Sequence, residues 1–407
     1  FTGKFLEFKK YGKEILSFDA TGNLEIVPTD PRIKGSVYQQ QWALYYPKSV
    51  FVSGKYAYVF GGAYGEGRFT IVDISNPSSP SIKGSIDFTN YPAGKQALFI
   101  SGKYAYVVEH EYDRLAIIDI SNPSSPTVVG RVQDSTLLDG AYSVYVSGKY
   151  AYVAHGDYEY DYNKGLTIVD ISNPSSPVIV GSVNFSAGND NWYPVVYVSG
   201  KYAYVGTGYN STQNKFTIFD VSDPTSPEEV AYITDSTYLN DIYGIYVSGR
   251  YAYVASRKRL TIIDISNPSS PSIVSSLYLG TGASSVYVSG KYAYLTGGNQ
   301  LMIVNVSDPS NPYLVTTIYD ATYLGGASSV FVSGKYAYVT AYSTHRLSVV
   351  DISGVNFPSA HIGDISASTI EVTENVDVRN NLYVGTALNV GAGGIYSQGR
   401  VGIYESS

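Results

Sequence analysis

Seven copies of one short pattern, a strand-forming composition and a strand displaced to the wrong end of the chain predict an all-β fold. Together they describe a seven-bladed propeller of four-stranded blades. The pattern is Val52-Ser-Gly-Lys-Tyr-Ala-Tyr-Val59, and its serine recurs as Ser101, Ser147, Ser199, Ser248, Ser289 and Ser333. Successive serines are 48, 46, 52, 49, 41 and 44 residues apart, a period typical of repeat architectures. The 407 residues include 42 tyrosines, against one methionine and two tryptophans. Tyr, Val, Ile and Thr at this level favour strands, and no long stretch carries helical periodicity.

Taken in order, residues 1–28 differ from the repeats and read as a small β appendage. Lys4-Phe-Leu-Glu-Phe8, Glu14-Ile-Leu-Ser-Phe18 and Leu24-Glu-Ile26 are three short strands separated by Gly-containing turns. The propeller is assigned to residues 29–353. Each repeat holds four strands: Ser-Val-Tyr-Val, Tyr-Ala-Tyr-Val, Leu-Thr-Ile-Val-Asp-Ile and Ile-Val-Gly-Ser. The first two join through a Ser-Gly turn and the last two through Asn-Pro-Ser-Ser-Pro, both suited to tight reversals.

The seventh repeat is incomplete. Leu347-Ser-Val-Val-Asp-Ile-Ser353 is followed by Gly354-Val-Asn-Phe-Pro358, with neither the Pro-rich turn nor a fourth strand. Conversely, Ile33-Lys-Gly-Ser36 near the start matches Ile82-Lys-Gly-Ser85, the fourth strand of the first repeat, but has no repeat in front of it. The N-terminal strand is therefore expected to complete the last blade and shut the ring, bringing Thr29 and Gly354 together. An open array would leave two blade faces uncovered.

The strand Leu166-Thr-Ile-Val-Asp170 makes the chain resemble proteins with LVIVD repeats over about residues 31–353. The resemblance implies a propeller fold and a surface or exported bacterial or archaeal protein. It implies no particular activity.

Residues 354–407 form a β-rich tail. Hexads begin at Ile370, Val376, Leu382 and Leu388, with apolar residues at the first and third places, and apolar positions resume at Ile395 and Val401. This recurrence fits a β-solenoid or strands wound with those of other subunits; successive short hairpins would give a similar pattern. The tail loosely resembles the short β modules of fibre-type proteins.

Composition excludes several function classes. The formal charge is −7 with no basic block, whereas a nucleic-acid partner needs a basic footprint. The absence of cysteine removes disulfides, a thiolate nucleophile and Cys-bound metal. No run approaches the roughly 18 apolar residues of a membrane helix. The chain begins at Phe1 rather than Met, as it would after removal of a leader or after trimming. His110, His155, His345 and His361 fall in unrelated places, and no Ser-His-acid set, P-loop or dinucleotide fingerprint can be assembled, so no enzyme is expected.

The acid closing the third strand is Asp73, Asp119, Asp170, Asp220, Asp264 and Asp351, with Asn305 in the sixth repeat. A catalytic acid is not needed in every blade, so these are expected to bind backbone N–H groups at the Pro-rich turn. That turn and the Ser-Gly turn share one uniform face, and the variable connections share the other. The variable face carries Trp42, Tyr45, Tyr46, Tyr91, Tyr142, Trp192, Tyr193, Tyr238, Tyr243 and Tyr323. Beside them lie Asp134, Asp139, Asp190, Asp235, Asp241 and Asp320. Aromatic platforms among carboxylates suit a sugar or a polypeptide, although the same residues would also serve to roof the blades.

Asp157, Glu159, Asp161 and Asn163 place oxygen ligands at alternate positions, an arrangement that would suit Ca²⁺ or equally a solvated hairpin. Glycosylation sequons occur at Asn184, Asn210 and Asn305; Asn305 falls within a strand and is expected to be inaccessible.

Two functions are expected from these features. One is an extracellular structural subunit of a homopolymer, coupled through Phe5, Phe8, Ile15 and Phe18 at one end. At the other end, Ile370, Val376, Leu382, Leu388, Ile395 and Val401 would do the coupling. The alternative is a carbohydrate- or protein-binding surface propeller using the aromatic face.

Overall fold

The computed structural model describes residues 4–10, 13–19, 24–25, 31–39, 43–63, 66–88, 97–156, 164–185, 193–207 and 214–353. The chain divides into two compact units, residues 1–359 and 360–407, and the second lies outside the described residues. The tail positions from Ile370 to Val401 fall in that second unit.

Strands Lys4–Lys10, Lys13–Asp19 and Leu24–Glu25 form one antiparallel sheet in chain order, matching the three strands expected of the N-terminal segment. The next strands make seven four-stranded antiparallel sheets, the blades of a propeller. Blade 1 consists of Pro47–Ser53, Tyr56–Ala63, Glu66–Asp73 and Ser81–Phe88, each paired with the next. Blades 2 to 6 repeat this meander through Tyr319. Two single turns of 3₁₀ helix, His110–Tyr112 and Tyr342–Thr344, are the helical elements among the described residues.

Blade 7 is built from two parts of the chain. Ala327–Ser333, Tyr336–Ala341 and Arg346–Asp351 supply three strands, and Arg32–Tyr38 supplies the fourth. Arg346 lies opposite Tyr38 and Asp351 opposite Arg32. The displaced N-terminal strand closes the ring.

The core lies between blades. The alanine of every Tyr-Ala-Tyr, from Ala57 to Ala337, is 0 % exposed. Only a side chain this short lets one sheet approach the next while the flanking tyrosines fill the widening wedge. At the closing seam, Val50, Val52, Ala57 and Val72 of blade 1 pack with Tyr338, Leu347 and Val349 of blade 7. An aliphatic side chain of this kind contributes roughly 1.5–3 kcal/mol when fully buried. The seam is thus held by the same apolar packing as the other blade contacts.

The repeated acids behave as expected. Asp73 Oδ1 accepts the Ser75 N–H at 3.0 Å and the Ser75 hydroxyl at 2.6 Å. Asn305 does the same with Ser307 at 2.9 and 2.6 Å, so an amide replaces the acid without loss of the turn. The serine hydroxyl and N–H hold Asp73, Asp119, Asp170, Asp220 and Asp264 below the usual carboxylate range. On the same face, Gly54 turns the chain at φ 58°, a backbone region that favours glycine.

In blades 1, 2, 3 and 7 a glycine of the outer strand lies against the next blade, where blades 4, 5 and 6 hold Ala231, Ser275 and Thr316. A Cβ added to Gly84 would lie 2.4 Å from the carbonyl oxygen of Pro123 in the next blade's Pro-rich turn. Gly35 on the displaced strand meets the Pro77 carbonyl oxygen of blade 1 at the same 2.4 Å. Both contacts are too close for a side chain, so Gly35→Val and Gly84→Val should each destabilise the protein, by about 1–3 kcal/mol. Thermal melting of the two variants tests the closure: a loss in Gly84→Val alone would mean that strand Arg32–Tyr38 does not seal the ring.

Candidate functional site

The inner strand of each blade begins at the variable face and ends at the Ser-Gly turn, so its residues form rings at successive depths. Two positions before each serine stand Phe51, Phe99, Tyr145, Tyr197, Tyr246, Tyr287 and Phe331. Neighbouring centroids are 4.6 to 5.3 Å apart all the way round, Phe331 meeting Phe51 at 4.7 Å. Seven aromatic rings thus line the axis in an unbroken circle. The four tyrosines occupy consecutive blades, and their hydroxyls are hydrogen-bonded in the series Tyr145, Tyr197, Tyr246, Tyr287. Burial pushes all four phenols above their ordinary range.

A cavity of about 240 Å³ is lined by these rings and by the residues one and two places before them, including Ser49, Ser285 and Ser329. It therefore lies on the variable-face side of the aromatic circle. Serines here also tie adjacent blades: Ser143 Oγ accepts the Val196 N–H at 3.1 Å, and Ser328 Oγ donates to the Pro47 carbonyl at 2.9 Å.

Farther out, the residue five places before the repeat serine reaches the mouth in blades 1, 3, 6 and 7, as Lys48, Tyr142, Ser284 and Ser328. In blades 1, 3, 5 and 7 the inner strand carries a register shift at this point, which leaves Lys48, Tyr142, Tyr243 and Ser328 as extra residues in their ladders. Such bulges redirect side chains at the rims of β structures. A second cavity, about 500 Å³, is lined by Lys48, His110, Glu111, Tyr142, Tyr193, Ser284, Ser328 and Tyr342, with Gly298, Gly326 and Ala327. Tyr142 and Tyr193, from adjacent blades, pair at 4.7 Å. Lys48 is half-buried, and that burial pushes its ammonium down to about 8.

The expected face residues separate into three groups. Tyr142 and Tyr193 meet in the mouth, and Tyr243 stands at the bulge of blade 5. Tyr45 and Tyr46 gather instead at the closing seam, where His345 stacks on Tyr45 at 5.6 Å and its Nδ1 accepts the Tyr46 N–H at 3.1 Å. Tyr238 and Tyr323 lie farther out, under Arg259 and Arg346 at 5.3 and 5.2 Å.

Among the acids, Asp134, Asp235 and Asp320 each accept two backbone N–H groups of their own loop. Asp241 is 3 % exposed and pairs with Arg257 at 3.7 Å, and Asp139 is buried. Trp42, Tyr91, Asp190, Trp192, the Asp157, Glu159, Asp161 and Asn163 set, and Asn210 lie outside the described residues. Asn184 is exposed at the end of strand Val178–Asn184, while Asn305 is buried. Among the described residues no group of three or more His, Asp or Glu is placed to hold a metal ion.

Two features of the site were not singled out from the sequence. One is the aromatic circle, signalled by an aromatic residue at the same place in every copy. The other is Lys48, the one Lys or Arg among the seven residues five places before the repeat serines.

The ring, its four-stranded blades and its central cavities define the protein as a seven-bladed β-propeller. Seven segments match the LVIVD repeat, residues 46–88, 95–134, 140–185, 195–235, 241–278, 280–320 and 324–359, and the chain belongs to that family. No curated protein matches the sequence. Among solved structures, the chain is similar to a functionally unknown protein from Desulfotomaculum acetoxidans, with TM-score 0.58, 14% identity and coverage of 70% of this chain and 90% of that one. The β-propeller domain of Myceliophteria thermophila Cps50 (Swd1) gives 0.59 at 12% identity, covering 79% and 99%. The periplasmic gluconolactonase PpgL of Pseudomonas aeruginosa gives 0.58 at 13% identity, covering 84% and 98%. At such identities the likeness shows the fold alone.

Burial lowers the pKa of His345 from its ordinary 6.5, because the seam favours the neutral ring whose Nδ1 accepts the Tyr46 N–H. The unfolded chain therefore binds the proton more readily. The stabilisation is complete above the unfolded value, near 6.5, and is lost as pH falls below it. His345→Asn keeps a residue tolerant of the left-handed backbone at φ 52°. Melting temperature should fall less steeply between pH 7 and 5 in this variant than in the parent; equal slopes would remove His345 from the pH response.

Proposed function

We propose that the protein is a rigid extracellular module of a surface assembly, coupled to neighbouring copies through the β segments at its two ends. The observation that carries this reading is the pairing of Arg32 with Asp351. The chain therefore enters blade 7 at Arg32 and ends its third strand at Asp351, at adjacent positions. A coupling element at either end would then act on one point of a stiff body.

The N-terminal sheet supports the same reading. Its order leaves Lys4–Lys10 and Leu24–Glu25 as edge strands, and edges of this kind accept strands from another chain. Phe5 and Phe8 fall in the first strand, and Ile15 and Phe18 in the second. A head-to-tail contact that does not close on itself gives a filament. The extracellular placement rests on the LVIVD resemblance.

A second reading, a carbohydrate-binding surface propeller, is favoured by the mouth cavity. It has a volume typical of small-molecule sites and combines paired tyrosines with several convergent polar groups.

The coupling reading is tested by comparing the full chain with residues 31–353 and with a chain lacking 370–407, by sedimentation and electron microscopy. Polymers from the full chain and monomers from both truncations are expected. Polymers formed by residues 31–353 alone would place the coupling in the propeller instead.

A further inference from the structure

We propose that the mouth cavity binds a sugar residue bearing a carboxylate, with the acid on the Lys48 ammonium and the ring against the Tyr142–Tyr193 pair. This deepens the carbohydrate-binding reading and rests on it.

The first argument is the singularity of Lys48. Corresponding inner-strand positions in blades 3 to 7 hold Tyr142, Pro194, Tyr243, Ser284 and Ser328. Four of these five carry hydroxyl groups and none carries charge, so the described ring offers one cation among neutral donors. The bulge at Lys48 directs it to the cavity that Ser284, Ser328 and Tyr142 also line. Burial disfavours the charged ammonium, and an anion placed beside it favours the charged form. The lowered pKa of Lys48 agrees with that environment.

The second argument is the shape and chemistry of the remaining walls. Tyr193, half-buried and backed by the buried Tyr142 ring at 4.7 Å, offers an aromatic surface that suits the C–H face of a pyranose ring. Tyr193 adopts φ 60°, an uncommon conformation for a residue other than glycine, two residues before the inner strand of blade 4. Backbone of this kind is concentrated at binding sites. His110 Nδ1 lies 3.7 Å from the Glu111 carboxylate, and together with the serines these side chains offer donors and acceptors for hydroxyl groups. A volume of about 500 Å³ accommodates a small saccharide.

Charge narrows the class. The chain carries a net −7, and Glu111 faces the same cavity as Lys48. A polyanion would be repelled by both, whereas a single carboxylate is satisfied by one lysine at short range. Phosphate recognition often recruits an arginine fork, and no arginine is among the described residues lining this cavity.

Binding of D-glucuronic acid, D-galacturonic acid and N-acetylneuraminic acid to the full chain, with glucose and galactose as neutral counterparts, is measured by saturation-transfer NMR and calorimetry. At least one acid should bind about tenfold more tightly than the neutral sugars. Its affinity should fall as pH rises through about 8, where Lys48 loses its proton. Lys48→Gln should erase both the acid preference and the pH dependence, while Lys48→Arg keeps the preference and flattens the profile. Tyr193→Ala should weaken acidic and neutral sugars alike. Equal binding of acids and neutral sugars, or an acid preference surviving in Lys48→Gln, would overturn the proposal while leaving a carbohydrate site. Failure of every sugar to bind at millimolar concentration would remove both.

Discussion

Everything in this molecule depends on the last blade packing against the first. A propeller blade is apolar on both faces and cannot bury them alone. Six blade contacts follow from chain order, but the seventh joins segments about 300 residues apart. Val50 and Val52 against Tyr338 and Val349 supply its core, and strand Arg32–Tyr38 laces the outer edge. Because the closing strand comes from the N-terminus, neither end of the repeat array is left with an uncovered blade. The glycine at position 35 has the same close approach as Gly84, so the seam copies an ordinary contact down to its tightest point.

Closure also determines what the centre of the ring can be. Inner strands held in a circle bring one residue per blade to each depth, and the repeat then multiplies that residue around the axis. The circle of aromatic rings follows from a single conserved place in the pattern, filled by phenylalanine on one arc and tyrosine on the other. Their spacing leaves the axis lined by aromatic surface below the cavities. The variable face above is different in kind. There the blades contribute differing residues, and bulges in blades 1, 3, 5 and 7 turn several of them toward the opening.

The two faces therefore divide structure from specificity. On the uniform face, the recurrent Asp-x-Ser turn and the Lys over its neighbouring tyrosine repeat nearly unchanged, with Lys55 lying 5.4 Å from the Tyr56 ring and Lys335 5.5 Å from Tyr336. Such repetition offers no unique place for a ligand. On the opposite face, Lys48, the Tyr142–Tyr193 pair and the seam around His345 occur once each. Departure from the repeat is the better guide to function in a chain of this kind.

Blade number, strand order, ring closure and the turn-holding role of Asp73 and its counterparts were legible in the sequence. Repetition supplied seven independent copies of each local signal, and the strand around Gly35 matched a strand whose place was already known. The grouping of residues on the variable face was not legible. Tyr45, Tyr142 and Tyr238 look equivalent as loop aromatics, yet one joins the seam, one lines the mouth and one lies under an arginine. Their destinations depend on bulges and left-handed residues that add or turn a single position, and a one-residue change redirects a strand side chain. Local pattern alone determined the scaffold because it is periodic. Only the closed tertiary structure decided the site, because the site is assembled from residues of different blades, brought together by the ring rather than by neighbourhood in the chain.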